Sequence, residues 1–340
     1  MRGPTRSFRP GATEAATRLG AMTPGDSGLF APFLEQQGVV ILDGGLATAL
    51  EARGHVLETD LWCARLLVDD PEEIGAVHRA FLDAGADCIS TASYQASHAG
   101  YAPLGYGEQE VDGLLLRSVS LAAEAVEAFW SEPANRAGRI RPLVAASVGP
   151  YGAYLADGSE YDGRYGVGDE VLRAFHRRRF ELFANSGADL IACETIPSLS
   201  EGAVLCRLFD ETPSAVGWIS FSCRDGGHLW DGTPIETAVD HCTRGRGVVG
   251  VGVNCTAPQH VAELIDRMRR RTDLPVVIYP NSGEGWNSED HSWTGSSTTE
   301  PWGDAAAGWV SSGATCVGGC CRVGPDAIAA VRSRVVVPSN

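Results

Sequence analysis

The sequence predicts an α/β chain folded as one (β/α)8 barrel of the TIM type. Three observations predict it. First, eight short apolar runs alternate with longer amphipathic stretches from Val39 onward. Second, one helix-to-strand junction is used three times. Ala84-Gly85-Ala86-Asp87-Cys88-Ile89 recurs as Ser186-Gly187-Ala188-Asp189-Leu190-Ile191 and, more loosely, as Ser312-Gly313-Ala314-Thr315-Cys316-Val317. Third, several of the runs end in a thiol or a carboxylate, where a barrel places its active-site groups. An open doubly wound sheet is the weaker alternative, because no Gly-x-Gly-x-x-Gly turn follows the first run.

The elements follow in order. Residues 1 to about 35 are rich in Gly, Pro, Thr, Ser and Arg without periodicity and read as a flexible leader, with Met22 as an alternative start. The barrel is expected over residues 36–335 and a short tail over 336–340. Its strands are expected at Val39–Asp43, Cys88–Ser93, Leu143–Val148, Leu190–Glu194, Val216–Ser222, Val248–Asn254, Val276–Tyr279 and Cys316–Gly319. These runs are nearly continuous in Val, Ile, Ala and Cys, as parallel strands buried on both faces require. Helical periodicity marks Glu72–Ala84, Val111–Trp130, Glu170–Asn185 and Gln259–Arg270. Each repeated junction reads as a helix end, a glycine suited to a left-handed cap, and a strand start. Two connections are long: Tyr151–Gly168, dense in Gly, Tyr and Asp, and Asn281–Pro301, which holds Glu284, Trp286, His291 and Trp293. Long loops after barrel strands are expected to carry function.

Composition excludes several classes. The formal charge of −16 over 340 residues argues against a nucleic-acid partner. No run has the length of a membrane span, and the N-terminus lacks the apolar core of a secretory signal. A cytoplasmic location with reduced thiols is expected for the ten cysteines. Cys63, Cys88, Cys206, Cys242 and Cys316 read as small buried hydrophobes.

The remaining thiols carry the chemistry. Cys320-Cys321 follows Val317-Gly318-Gly319, and Cys255 ends the run that begins at Val248. Neighbouring residues of a strand face opposite ways, so this pair can share a metal only where the strand has ended. Gly318-Gly319 before it supply permissive backbone, and Gly324-Pro325-Asp326 after it start a helix. Three thiolates at one end of a sheet make an open zinc site. A buried pair and a redox vicinal disulfide are the alternatives these residues leave open. Asp43 and Glu194 close two further runs, placed to hold a substrate ammonium or to do acid–base work. Helix capping or pairing with arginine is their structural alternative.

Together these segments resemble the homocysteine S-methyltransferase family. The resemblance lies in Asp43-Gly44-Gly45, Thr91-Ala92-Ser93-Tyr94-Gln95, Gly149-Pro150-Tyr151-Gly152 and Cys193-Glu194-Thr195. It continues in Gly252-Val253-Asn254-Cys255, Tyr279-Pro280-Asn281-Ser282-Gly283-Glu284 and Gly318-Gly319-Cys320-Cys321. It covers about residues 38 to 333 in order. It implies a zinc enzyme that methylates L-homocysteine to methionine. The implied ligands are Cys255, Cys320 and Cys321, and the implied holders of the homocysteine amino group are Asp43 and Glu194. Backbone amides near Gly44 and Gly45 would receive its carboxylate, and Asn254 would orient the site. The stand-alone branch using S-methylmethionine, and less well S-adenosylmethionine, is the nearest likeness. Thr195 stands where betaine-dependent relatives carry an aromatic residue, and selenocysteine methyltransferases share the same ligands. The sulfonium donor is expected near Tyr94, Tyr151, Glu284 and Trp286.

Overall fold

A computed structural model of the chain describes residues 28–57, 61–287, 292–294, 297–298 and 300–336. The expected leader before residue 28, Met22, His291 and the tail after residue 336 lie outside the described residues, as do the side chains of Trp286 and Trp293.

The strands are β1 (Val40–Ile41), β2 (Cys88–Ser90), β3 (Leu143–Val148), β4 (Leu190–Ile196), β5 (Gly217–Phe221), β6 (Val248–Asn254), β7 (Val276–Tyr279), β8 (Gly285–Asn287), β9 (Ser292–Thr294) and β10 (Cys316–Val317). Eight of them form one parallel sheet in the order β1-β10-β7-β6-β5-β4-β3-β2, and β8 pairs β9 as a separate hairpin. A parallel bridge from Leu42 to Cys88 joins the two ends. Asp87 N donates to Ile41 O at 2.7 Å and Asp43 N to Cys88 O at 3.1 Å across that seam. The barrel is therefore closed, and the alternative of an open sheet is set aside. The expected helices are present as Pro71–Ala84, Glu108–Ser131, Asp169–Ala184 and Val261–Arg269.

The repeated junction has a physical reason beyond chain reversal. Asp87 Oδ2 accepts from Ile41 N at 3.1 Å, Asp189 Oδ2 from Val144 N at 2.8 Å, and Thr315 Oγ1 from Val276 N at 2.9 Å. Each time, the polar residue before a strand takes an amide from the neighbouring strand. The glycines differ. Gly85 and Gly313 take φ of +109° and +114°, whereas Gly187 is not left-handed. There the helix Asp169–Ala184 ends through Asn185 at φ −115°.

Strand alternation sorts the side chains. Ile41, Ile89, Val144, Ile191, Ile219 and Ile278 face the helices, while Val40, Cys88, Ala145, Ala192, Trp218 and Val277 fill the barrel. The inward row continues by twos to Ser90, Ser147 and Glu194, so the pattern that packs the core delivers polar groups to the mouth.

The other end corrects the leader boundary. Residues Ala31–Gln37 are a helix, and Phe30 and Phe33, at 0% and 1% exposure, pack with the interior residues. The Phe30 ring lies 6.3 Å from that of Trp218. Fully burying one such ring is worth about 2–3 kcal/mol. The polar average of residues 1–35 conceals two phenylalanines that close the barrel floor. Gly38, at φ +78°, then turns the chain into β1.

Candidate metal and substrate site

The barrel mouth gathers the expected thiols. Cys255 Sγ lies 3.7 Å from Cys321 Sγ, and Cys321 Sγ lies 3.9 Å from Cys320 Sγ. All three sulfurs fall within 4.8 Å of one another. Two sulfurs on one tetrahedral zinc, each at about 2.3 Å, stand about 3.8 Å apart. The spacing and the soft donor set therefore fit a three-thiolate zinc site, and all three cysteines line the cavity. None of the ten cysteines is in a disulfide, and the five expected as buried hydrophobes are buried.

Local structure explains how two adjacent cysteines serve one site. The strand β10 ends at Val317, so alternation no longer applies. Gly318 N donates to Ile278 O and Cys320 N to Pro280 O, at 3.0 and 2.8 Å. Gly318 and Gly319 are needed for closeness rather than for a positive φ. A Cβ on Gly318 would sit 2.7 Å from Asp43 O, and one on Gly319 would sit 2.2 Å from the Val323 side chain. Cys255 itself is left-handed at φ +46°. Arg322 and Thr195, at φ +67° and +61°, share that conformation. Such backbone costs about 1–3 kcal/mol per residue and clusters at functional sites.

Asn254 supports this geometry. Its Oδ1 accepts from Thr195 N and its Nδ2 donates to Thr195 Oγ1, both at 2.7 Å. The same Nδ2 lies 3.9 Å from Cys320 Sγ. The register of β4 against β5 shifts between Cys193 and Ile196, so the ladder is irregular just where Glu194 reaches the mouth.

Of the three thiols, Cys255 is the one driven down, because Cys320 and Cys321 donate to its sulfur, while Cys321 is pushed up. A group absent from the sequence reading joins them: Tyr161 Oη lies 3.3 Å from Cys255 Sγ. Burial pushes the Tyr161 phenol well above its usual value, so it stays protonated and donates to the sulfur. Nothing in the sequence pairs Tyr161 with a residue so distant along the chain. Only the length of the loop after β3 pointed to it.

Asp43 and Glu194 line the same cavity as the thiols, and both are buried. Asp43 Oδ2 accepts from Ser90 N at 2.7 Å. Burial raises its carboxyl well above the ordinary range, and the Glu194 charge raises it further. Burial likewise pushes Glu194 up to about 7, against the lowering hydrogen bond from Ser147. Neither carboxylate pairs with an arginine among the described residues, so their capping and ion-pair alternatives are not realised. Gly44 and Gly45 border the cavity, but the Gly45 amide is already donated to Val323 O at 2.8 Å. Leu46, Ala47 and Thr48, in the first turn of the helix Leu46–Ala52 where amides lack intrahelical partners, line the cavity beside them.

The expected donor residues divide. Tyr94 lines the cavity. Tyr151 does not: its ring packs against Phe175 at 5.0 Å and against Tyr154 and Tyr165 at 5.5 Å. The helix Tyr151–Leu155 turns Tyr151 and Tyr154 together toward Phe175 of the helix Asp169–Ala184. Glu284 stands outside the thiol cavity, bonded to Ser282 Oγ at 2.7 Å and to Arg322 Nε at 3.2 Å. Trp286 belongs to β8.

Comparisons with known proteins agree with this geometry. Residues 40–335 match the family described as Homocysteine S-methyltransferase. Homocysteine S-methyltransferase YbgG of Bacillus subtilis is 45% identical over 295 residues, 87% of this chain and 94% of the relative. Homocysteine S-methyltransferase of Escherichia coli is 45% identical over 303 residues, 88% of this chain and 96% of the relative. The metallated crystal structure of the E. coli homocysteine methyltransferase MmuM superposes with a TM-score of 0.80 at 43% identity, covering 90% of this chain and 99% of that one. With the family pattern running from the first strand to the last helix, the chain belongs to the homocysteine S-methyltransferase family.

Proposed function

We propose that this chain transfers a methyl group from a sulfonium donor, S-methylmethionine or less readily S-adenosylmethionine, to L-homocysteine, with zinc held by Cys255, Cys320 and Cys321. The observation that carries this reading is the joint placement of three thiols at tetrahedral-zinc spacing and two buried, cation-free carboxylates around one cavity. When bound there, zinc supplies Lewis acidity that keeps a substrate thiol deprotonated near neutral pH, where a free thiol with a pKa of about 8.5 is mostly protonated.

The residues of the chain do the rest. Asp43 and Glu194 receive the homocysteine ammonium, which returns both buried carboxyls to the ionised form. The amides at Gly44 and at the start of the helix Leu46–Ala52 meet its carboxylate. Asn254 holds Thr195 and Cys320 in place. These contacts fix the substrate sulfur relative to the donor methyl, which is worth several kcal/mol of barrier in general. A thiolate attacking a sulfonium neutralises charge, so a cavity that excludes water favours the transition state over the separated ions. No general base is needed at that step. Among the described residues, no helix is long and apolar enough to cross a membrane.

The test is direct. Purified protein loaded with zinc is given homocysteine and each donor in parallel, and methionine is measured alongside bound metal. Stoichiometric zinc and methionine formation with S-methylmethionine are expected. Binding of homocysteine without methionine from any sulfonium donor would sink the reading.

A further inference from the structure

We infer that Glu160 is a specificity-determining residue for the methyl donor, placing its carboxylate against the sulfonium. The inference rests on the sulfonium-dependent methyl transfer proposed above. Glu160 lies on the tight turn Ser159–Tyr161, one residue before the tyrosine that touches Cys255. It lines the thiol cavity together with Tyr94 and Gln95. Two buried acceptors of that cavity, Glu160 Oε2 and Gln95 Oε1, have no hydrogen-bond partner. Among the described residues no arginine or histidine pairs with Glu160, and burial pushes its carboxyl up to about 7.

Glu160 is half-buried and its carboxylate meets its own backbone amide, but Oε2 is buried without a partner. A buried acceptor left unpaired is costly, and such groups are retained where a ligand completes them. A cationic ligand fits a carboxylate oxygen held here without a counter-charge. A sulfonium carries that charge without an N–H or O–H, and it is held electrostatically by carboxylates and aromatic faces. In the proposed function the ammonium of homocysteine has its own acceptors in Asp43, just past β1, and Glu194, on the inner strand row. The turn that carries Glu160 is firmly seated. A Cβ on Gly152 would lie 2.4 Å from Glu160 N, so this turn packs directly on the helix Tyr151–Leu155.

The chemistry gives the inference a distinctive signature. Attack of the thiolate breaks the bond from the methyl carbon to the donor sulfur, which keeps the electron pair and becomes a neutral thioether. The new bond leaves homocysteine sulfur as a thioether as well, with no proton to place. The donor's positive charge is therefore lost as the transition state is crossed. A carboxylate beside it favours the bound donor more than the transition state, so it lowers donor KM without raising kcat.

The experiment is steady-state kinetics of zinc-loaded Glu160→Gln in the full chain, varying S-methylmethionine and homocysteine separately, with zinc content and Tm recorded. A rise of about tenfold or more in donor KM is expected, with kcat equal or higher and homocysteine KM within twofold. Donor KM within twofold of wild type would overturn the assignment, as would a parallel rise in both KM values or loss of zinc. Wild-type protein that turns over no sulfonium donor would end the proposed function and this inference together. An active wild type beside an unaffected variant ends the inference alone.

Discussion

The cavity is built from two regions that achieve order by different means. The thiol rim, at the ends of β6 and β10, is fixed by backbone. Its amides donate into β7 and the segment after it, and its glycines leave no room for a side chain. The loop after β3, which brings Glu160 and Tyr161, is fixed by a buried polar network that starts in the helices behind it. Arg179, 1% exposed, donates to Gly149 O and contacts His176 Nδ1 at 2.9 Å. His176 Nε2 meets Glu201 Oε1 at 2.8 Å. Glu201 then accepts from Tyr151 N at 2.6 Å and from Tyr165 Oη at 2.9 Å, at the two ends of the loop. The rim depends on residues that touch the site. The loop depends on residues that never do. The two regions should therefore fail differently.

The largest effect belongs to the rim. Cys255→Ser, Cys320→Ser or Cys321→Ser should each lose zinc and leave activity below about 1% of wild type, because three ligands hold the metal and none is spare. Atomic absorption and methionine formation check this together. A variant with near-normal zinc and rate would remove that cysteine from the ligand set.

Breaking the network should reverse the pattern. Glu201→Ala removes the acceptor of His176, of the Tyr151 amide and of the Tyr165 hydroxyl, and the negative charge nearest the buried Arg179. Each buried polar group left unsatisfied costs about 1–3 kcal/mol. Calorimetry should show a large fall in Tm. The protein that remains folded should still bind one zinc, with donor KM raised. Loss of zinc in proportion to activity would mean that the two regions are not separable.

A smaller effect tests the two carboxylates at the barrel mouth. Asp43→Asn should raise homocysteine KM by about tenfold or more, and an unchanged KM with normal turnover would count against Asp43 as an ammonium holder. The pH dependence has a definite sign. Burial holds Glu194 up to about 7 in the free protein, above its ordinary 4.5. The folded state thus binds a proton that the unfolded state releases, so stability without substrate falls as pH rises from about 4.5 to about 7. Ammonium binding requires the ionised form, so homocysteine affinity rises over the upper part of that window. Glu194→Gln should flatten that part of the pH profile, which separates it from titration of the substrate thiol.

The contrast between the regions also explains what the sequence disclosed. Asp43, Glu194, Asn254 and Cys255 each end a recognisable apolar run, and alternation or strand termination suffices to place them at the mouth. Cys320 and Cys321 are legible for the same reason. The family resemblance, borne out by the match over residues 40–335, joined them into one site. Tyr161 and Glu160 have no such signal. Their loop has no periodicity, and its shape is imposed by Arg179, His176 and Glu201 on amphipathic helices where buried polar residues look like ordinary surface ones. Tyr151 lies outside the cavity for a related reason, since aromatic composition marks a loop without saying which ring turns inward. Phe30 and Phe33 were lost in the polar average of the segment around them.

Tyr161→Phe tests where the two regions meet, and it should be the mildest change. It keeps the ring, which packs edge-on against Trp230 at 5.9 Å, and removes only the hydroxyl 3.3 Å from Cys255 Sγ. Groups that hydrogen-bond a metal ligand typically tune affinity by about 10–100-fold. This one donates to one sulfur of three, so an effect at or below the lower end, about tenfold, is expected in competition with a zinc chelator, with Tm unchanged. Donor KM should stay within about twofold, since the turn remains seated on the helix Tyr151–Leu155. If zinc affinity is unchanged and donor KM rises instead, the hydroxyl serves the donor and not the sulfur. The loop would then be purely a donor-binding region, with the rim alone answering for the metal.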